Sequence, residues 1–261
     1  MLLVVDIGNT NITLGLYDGD RPGPRWRLAT AHDRMPDEYG LQFLGLLTHS
    51  HIPLDSITGV CMGSVVPPLT GKIQETCRRY LQREPLVIGA GVKTGVRIRV
   101  DYPQGVGADR VADAAAVKHL YGGPACVVDF GTATKFEAIS ADGDYLGGAI
   151  GAGIGISAEA LFVHTAQLPR VDLVRPPSVI GRNTVHAMQS GLIFGYISLV
   201  EGMVQRFRNE LGPQMKVIAT GGLAETIAQE TDVIDIIAPW LTLDGLRVIW
   251  EVNVKSGREG K

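Results

Sequence analysis

Two short segments of this chain carry the same chemical device. Asp6-Ile7-Gly8-Asn9-Thr10-Asn11 and Asp129-Phe130-Gly131-Thr132-Ala133-Thr134 each place a carboxylate at the end of an apolar run, a glycine two residues later, and then hydroxyl or amide side chains. A glycine there lets the backbone approach an anion closely, because it has no Cβ and reaches unusual φ. Successive N–H groups in such a turn form a nest for phosphate oxygens. The strand-end carboxylates of Asp6 and Asp129 can face a metal ion held by the same phosphates. Asp and Gly are also common in ordinary turns. Two copies 123 positions apart, each behind an apolar strand, favour phosphate binding. Two such loops from two lobes would clamp one triphosphate in a cleft. No GxxxxGK[ST] loop occurs, and Gly151-Ala152-Gly153-Ile154-Gly155 lacks dinucleotide-fingerprint spacing.

Two further segments complete the set. Thr220-Gly221-Gly222 follows an apolar strand and precedes a helix, a place where a flat ligand can lie against backbone; its position in the second half suits the adenosine side of a nucleotide. Val106-Gly107-Ala108-Asp109-Arg110 opens an Ala-rich helix. Asp109 falls in its first turn, where the helix dipole stabilises negative charge. A carboxylate there can accept the proton of a primary hydroxyl as it attacks a γ-phosphate. Arg110 can hold a substrate carboxylate in its fork geometry. A helix cap and a structural ion pair explain the same two residues without chemistry.

The elements that must position these residues read as a repeated α/β unit. Strands are expected at Leu2–Asp6, Thr13–Tyr17, Pro24–Thr30, Ile57–Val65, Pro85–Ile88 and Val96–Val100. Helices are expected at Asp37–Leu47, Leu69–Leu81 and Ala108–Leu120, from their apolar periodicity. The pattern then restarts with strands at Ala125–Phe130 and Lys135–Ser140, a hairpin turning at Ala141–Asp144, and helices at Ile154–Thr165 and Thr184–Arg208. A strand at Lys216–Thr220, a helix at Leu223–Gln229, a strand at Val233–Ile237 and a helix at Leu241–Val252 follow, with a polar, frayed tail at Lys255–Lys261. A restart after about half the chain implies two copies of one unit. The boundary falls near Gly122–Pro124, giving an N-terminal lobe over 1–122 and a C-terminal lobe over 123–261.

Composition sets limits. With 261 residues, 45% hydrophobic, the chain can bury a sizeable core. A net charge of −3 without a Lys/Arg block gives no footprint for nucleic acid or an anionic membrane. No apolar run approaches the ~20 residues that span a bilayer, and the N-terminus lacks the basic start of a signal peptide. Three cysteines without a CxxC, of which Cys61 and Cys126 sit in apolar runs, point to reduced, buried thiols and a cytoplasmic location. No His/Cys cluster has zinc spacing.

Taken together, the motifs resemble those of type III pantothenate kinases. The residues that carry the resemblance are Asp6 to Asn11, Ser64-Val65-Val66-Pro67, Gly107 to Arg110, Asp129 to Thr134, Gly147-Gly148-Ala149-Ile150, Asn183-Thr184 followed by Ala187-Met188-Gln189-Ser190-Gly191, Thr220 to Gly222, and the Pro239 to Leu246 ending. The resemblance implies the actin/hexokinase-like superfamily, with two tandem ribonuclease-H-like lobes and a cleft between them. It implies ATP-dependent phosphorylation of pantothenate, the first step of coenzyme A synthesis. By that resemblance Asp6, Ile7, Gly8, Asn9, Thr10, Asn11, Ile12 and Thr13 bind ATP phosphates, with Thr132 from the second lobe, and Gly221 and Gly222 lie at the nucleotide. Asp109 is the proton acceptor, and Tyr102, Gly107, Ala108, Asp109 and Arg110 hold pantothenate. Asp6 meets Mg2+ through the phosphates, and Asp129 binds a monovalent cation, potassium or ammonium. Thr184 touches the pantothenate of the partner subunit in a homodimer.

Two positions depart from the usual pattern. Lys135 stands where a threonine normally follows Thr134, and Ala152 stands in a loop that normally carries proline. Lys135 has three possible destinations: beside the phosphates, in competition with the monovalent cation, or in solvent. Two other function classes compete: a ligand-binding regulator on the same fold without turnover, and a phosphotransferase acting on a sugar or acetate.

Overall fold

The structure is a computed structural model that describes residues 1–259. It contains two compact units: Met1–Tyr121 together with the last helix, from Leu241, and Gly122–Trp240. The last helix therefore departs from the expected 123–261 lobe. The expected frayed tail is helical as far as Glu259, and Gly260 and Lys261 lie outside the described residues.

In the first unit, β1 (Leu2–Ile7), β2 (Asn11–Asp18) and β3 (Arg21–Ala29) form an antiparallel meander. Then α1 (Pro36–His49) leads to β4 (Gly59–Ser64), and α2 (Pro67–Tyr80) leads to β5 (Pro85–Val87). The strands order as β3-β2-β1-β4-β5, with β4 parallel to both β1 and β5. The strand expected at Val96–Val100 does not form; only an isolated bridge at Ile98 remains of it. Helix α3 (Ala108–Ala116) continues into a π turn over Val117–Tyr121. Alternate residues of β1 and β2 (Leu3, Val5, Ile7; Ile12, Leu14, Leu16) join Phe43, Leu69 and Ile73 in one buried cluster. That is the period-two alternation of a strand; Leu2 and Val4, which alternate with them, are buried on the opposite face.

The second unit repeats this plan. Strands β6 (Ala125–Phe130), β7 (Ala133–Ile139) and β8 (Tyr145–Ala152) form the meander. They are followed by α4 (Ile154–Val163), α5 (Thr184–Leu211), β9 (Lys216–Gly221), α6 (Ala224–Ala228) and the short β10 (Ile236–Ile237). The order β10-β9-β6-β7-β8 mirrors the first sheet strand for strand. By length and composition alone, α5 could cross a membrane. Its Ile193, Tyr196, Ile197, Val200 and Val204 nevertheless pack against β6, β7 and β9 in the second core.

The last helix, α7 (Leu241–Glu259), belongs to the first unit because it packs face to face on α3. A Cβ at Gly245 would lie 1.9 Å from the Ala112 carbonyl, so only glycine permits this approach. Thr242 Oγ1 donates to the buried Asp113 at 2.7 Å, and Tyr17 OH donates to Asp244 at 2.6 Å. Burial, then that carboxylate, push the Tyr17 phenol well above its ordinary pKa, so it stays a donor. Cys61, Cys77 and Cys126 are free and buried, and burial pushes each thiol up to about 12.

Candidate active site

In the first unit the site begins where β1 leaves the core. Leu2 to Val5 are buried and Asp6 is half-buried at the strand's end. The chain reverses through a turn closed by Gly8 N–H donating to Asn11 O at 2.9 Å. The start of the following loop pins the turn from outside: Thr30 N–H donates to Thr10 O (2.9 Å) and Thr30 Oγ1 to Gly8 O (2.7 Å). Asn9, Thr10 and Asn11 are exposed at the tip. Ile7 and Ile12 are fully buried, so of the eight expected phosphate-binding residues these two can offer only main-chain groups.

Asp6 sits on a rung between Thr13 of β2 and Gly63 of β4. Beside it, Val65 N–H donates to Ile7 O at 3.0 Å, which ties the Ser64–Pro67 segment to the turn. Ser64 Oγ accepts from Val66 N–H and from Thr70 Oγ1, which holds that segment's shape. A Cβ at Gly63 would contact Ala108 Cβ at 3.5 Å, so α3 starts directly against the rung that carries Asp6. Asp109 is the next residue. It is half-buried in the first turn of α3, and its Oδ1 accepts from Arg110 N–H at 2.9 Å. The carboxylate folds over Gly107, where a Cβ would stand 2.4 Å from Oδ1. Gly107 thus keeps the entrance to α3 open, and Ala108 is buried beneath it. Arg110 is half-buried, and Tyr102 is 70% exposed with its ring over Gly105. The Asp6 turn and the Asp109 helix start therefore share one edge of the first sheet.

Sequence reasoning overlooked the role of α7 behind this edge. Leu246 packs on Gly63 and Gly245 on Ala112, which fixes the position of α3. The only signal was Gly245 inside an otherwise helical ending.

The second unit builds its turn by the same rules. Gly131 N–H donates to Ala133 O at 3.2 Å, and Gly153 N–H donates to Thr132 O at 3.2 Å. Thr132 is exposed. Thr134 is not: it points into the core, with its Oγ1 2.5 Å from Tyr196 OH, so its side chain is no phosphate donor. Burial pushes the Tyr196 phenol up, Asp129 adds to this, and the Thr134 bond opposes it. Asp129 faces the opposite side of β6, on a rung between Lys135 and Thr220. Gly221 has φ +90°, and a Cβ there would lie 2.5 Å from Asp129 Oδ1. The other oxygen, Oδ2, is paired with Lys135 Nζ at 2.7 Å, both side chains being largely shielded. Lys135 is therefore neither solvated nor free of Asp129. A carboxylate already holding a tethered ammonium does not fit a second monovalent cation, because two positive charges would crowd one oxygen pair.

Asp6 and Thr13 offer hard oxygen donors of the kind that suits Mg2+ carried mainly by phosphates. Among the described residues, no group of three or more His, Cys, Asp or Glu could hold a metal by protein ligands alone. Thr184 is exposed at the start of α5, whose N-cap Asn183 accepts from His186 N–H at 2.8 Å.

Comparison with known proteins bears on what this edge is for. The family model for type III pantothenate kinase matches residues 2–206. A type III pantothenate kinase of Roseiflexus sp. is 53% identical over 97% of this chain and 99% of its own. Among solved structures, a conserved Campylobacter jejuni protein assigned to the Baf family of transcriptional activators aligns with a TM-score of 0.63 at 20% identity, covering 97% of this chain and 99% of that one. The ADPNP-bound activator of 2-hydroxyisocaproyl-CoA dehydratase from Clostridium difficile aligns with a TM-score of 0.54 at 12% identity, over 100% of this chain and 97% of that one. The structural likenesses speak to the two-lobed fold; the sequence matches, over nearly all of the chain, make it a member of the type III pantothenate kinase family.

Proposed function

We propose that this chain transfers the γ-phosphoryl group of ATP to the primary hydroxyl of pantothenate, the step that opens coenzyme A synthesis. The observation that carries the reading is the shared edge in the first unit. There a glycine turn with exposed amide and hydroxyl groups lies beside a helix start that presents a carboxylate and an arginine.

In this reading the main-chain N–H groups of the Asp6 turn, with Asn9, Thr10, Asn11 and Thr13, hold phosphate oxygens. Thr132, Gly221 and Gly222 serve nucleotide binding from the second unit. Asp6 would hold Mg2+, which would supply charge neutralisation of the phosphates. Arg110 binds the pantothenate carboxylate, with Tyr102, Gly107 and Ala108 around the chain of the substrate. Asp109 takes the proton of the hydroxyl as its oxygen bonds to phosphorus and the β–γ bridging oxygen leaves with ADP.

A homodimer belongs to the same proposal. Most exposed large apolar side chains lie between Leu146 and Leu199, including Ile150, Val179 and Ile180. Such a concentration suits a partner, and in this reading Thr184, in the same stretch, touches the partner's pantothenate. The buried thiols fit a reducing, cytoplasmic location.

Purified protein with ATP, Mg2+ and pantothenate, followed by coupled release of ADP and by mass of the product, tests the reading. Phosphopantothenate should form. Tight pantothenate or nucleotide binding with no product would instead favour a regulator, and turnover only on sugars or acetate would favour a different phosphotransferase.

A further inference from the structure

The expected cation site in the second unit contains a lysine. We infer that the Lys135 ammonium takes the place of the potassium or ammonium ion beside Asp129, so that the enzyme carries its own monovalent cation and needs none from solution. This rests on the kinase reading above.

Three observations converge. Lys135 and Asp129 are direct cross-strand partners on β7 and β6, so the pairing is fixed by sheet register and not by a wandering side chain. The ammonium stands 2.7 Å from Oδ2 with both groups largely shielded from water, which is a contact distance for a charge-assisted hydrogen bond. The remaining oxygen, Oδ1, lies against the Gly221 backbone, and only a glycine at φ +90° fits there. Asp129 is thus enclosed by a cation on one side and by main chain on the other. Lys135 also lies on the sheet face away from α5: Thr134 and Phe136 point into the α5 core, so alternation turns Lys135 to the face of Asp129 and Thr220. A lysine ammonium has the same single charge as a dissolved ammonium ion and similar donors, but is held by a covalent tether. It therefore neutralises the Asp129 carboxylate next to the Gly131–Thr132 turn without binding equilibrium or dependence on ionic composition.

The test exchanges potassium for choline at constant ionic strength, in wild type, Lys135→Ala and Lys135→Arg. In wild type, activity should change by less than about 2-fold between choline chloride and potassium chloride. Lys135→Ala in choline should fall about 100-fold, the scale on which one preorganised charge acts in a transition state, and potassium or ammonium chloride should restore much of it. Lys135→Arg should stay cation-independent. Melting temperature gives a readout that needs no turnover: potassium should raise that of Lys135→Ala relative to choline and leave wild type unmoved. A wild type strongly activated and stabilised by potassium overturns the inference. So does a Lys135→Ala protein that is as indifferent to potassium as wild type. Absence of product from wild type in every salt would count against the kinase reading instead, with the melting series still deciding the cation question.

Discussion

The two glycine turns occupy the same place in two sheets of identical strand order, yet they differ at the rung that carries the aspartate and in their length. In the first sheet the hairpin partner of the strand-end aspartate is Thr13; in the second it is Lys135. The first turn encloses four residues between the pair Ile7–Ile12, the second three between Phe130–Thr134. The longer turn buries both flanking isoleucines and leaves Asn9, Thr10 and Asn11 at the rim. The shorter one turns Thr134 into the core and keeps Gly131 and Thr132 outside. The first turn also has Asp109 beside it, whereas α7, the helix that follows β10 as α3 follows β5, packs on α3 itself. Duplication supplied one scaffold twice. One copy has Asp109 beside its turn, and the other has the Lys135–Asp129 ion pair.

That division is most sharply tested at Asp109. Asp109→Asn keeps the shape and the acceptor to Arg110 N–H but removes the base. kcat should fall about 10³-fold, within the range for a positioned acid-base group, with little change in melting temperature or in KM for ATP. A loss under about 5-fold would take Asp109 out of the transfer step and dissolve the contrast between the turns. The Lys135 series follows in size, at about 100-fold.

Glycines supply the next test. Gly221→Ala places a Cβ 2.5 Å from Asp129 Oδ1 and 2.7 Å from Phe130 O in a backbone that L residues rarely adopt. Strain and overpacking together should cost about 3 kcal/mol, read by denaturant midpoint. Gly8→Ala meets only Asn11 O, at 3.1 Å, without a positive φ. It should cost less than about 1 kcal/mol and act mainly on KM for ATP. Equal costs at both sites would show that the two turns are held with the same rigidity after all.

The parts of the fold legible in the sequence were those with short-range causes. The repeat showed itself because Asp-x-Gly follows an apolar strand twice, and β6 was bounded to the residue because its apolar run ends in that same turn. The strand expected at Val96–Val100 failed because alternation alone cannot supply a neighbour to pair with. The placement of α7 was hidden for a similar reason: its ending motif shows an amphipathic helix but not which unit it covers, and the deciding contacts, Gly245 on Ala112 and Thr242 on Asp113, span more than a hundred residues. Lys135 was visible as a departure, but its partner was not, since the register that sets it opposite Asp129 depends on the length of the turn between them.

The smallest expected effect concerns the two threonines of the second turn, which sequence alone treats alike. The start of the strand separates them: Thr134 is the second residue of β7 and faces Tyr196 in the core, whereas Thr132 precedes β7 and lies outside on the turn. Thr134→Val keeps the volume but deprives Tyr196 OH of a 2.5 Å partner. That loss should cost about 1 kcal/mol, or roughly 2–4 °C in melting temperature for a domain of this size, with KM for ATP unchanged. Thr132→Ala should do the reverse, raising KM for ATP a few-fold, as expected for one lost hydrogen bond, while leaving the melting temperature alone. If Thr134→Val instead raised KM for ATP and left the melting temperature alone, the assignment of faces on β7 would be inverted, and Lys135 would be carried into the core, where it could not meet Asp129.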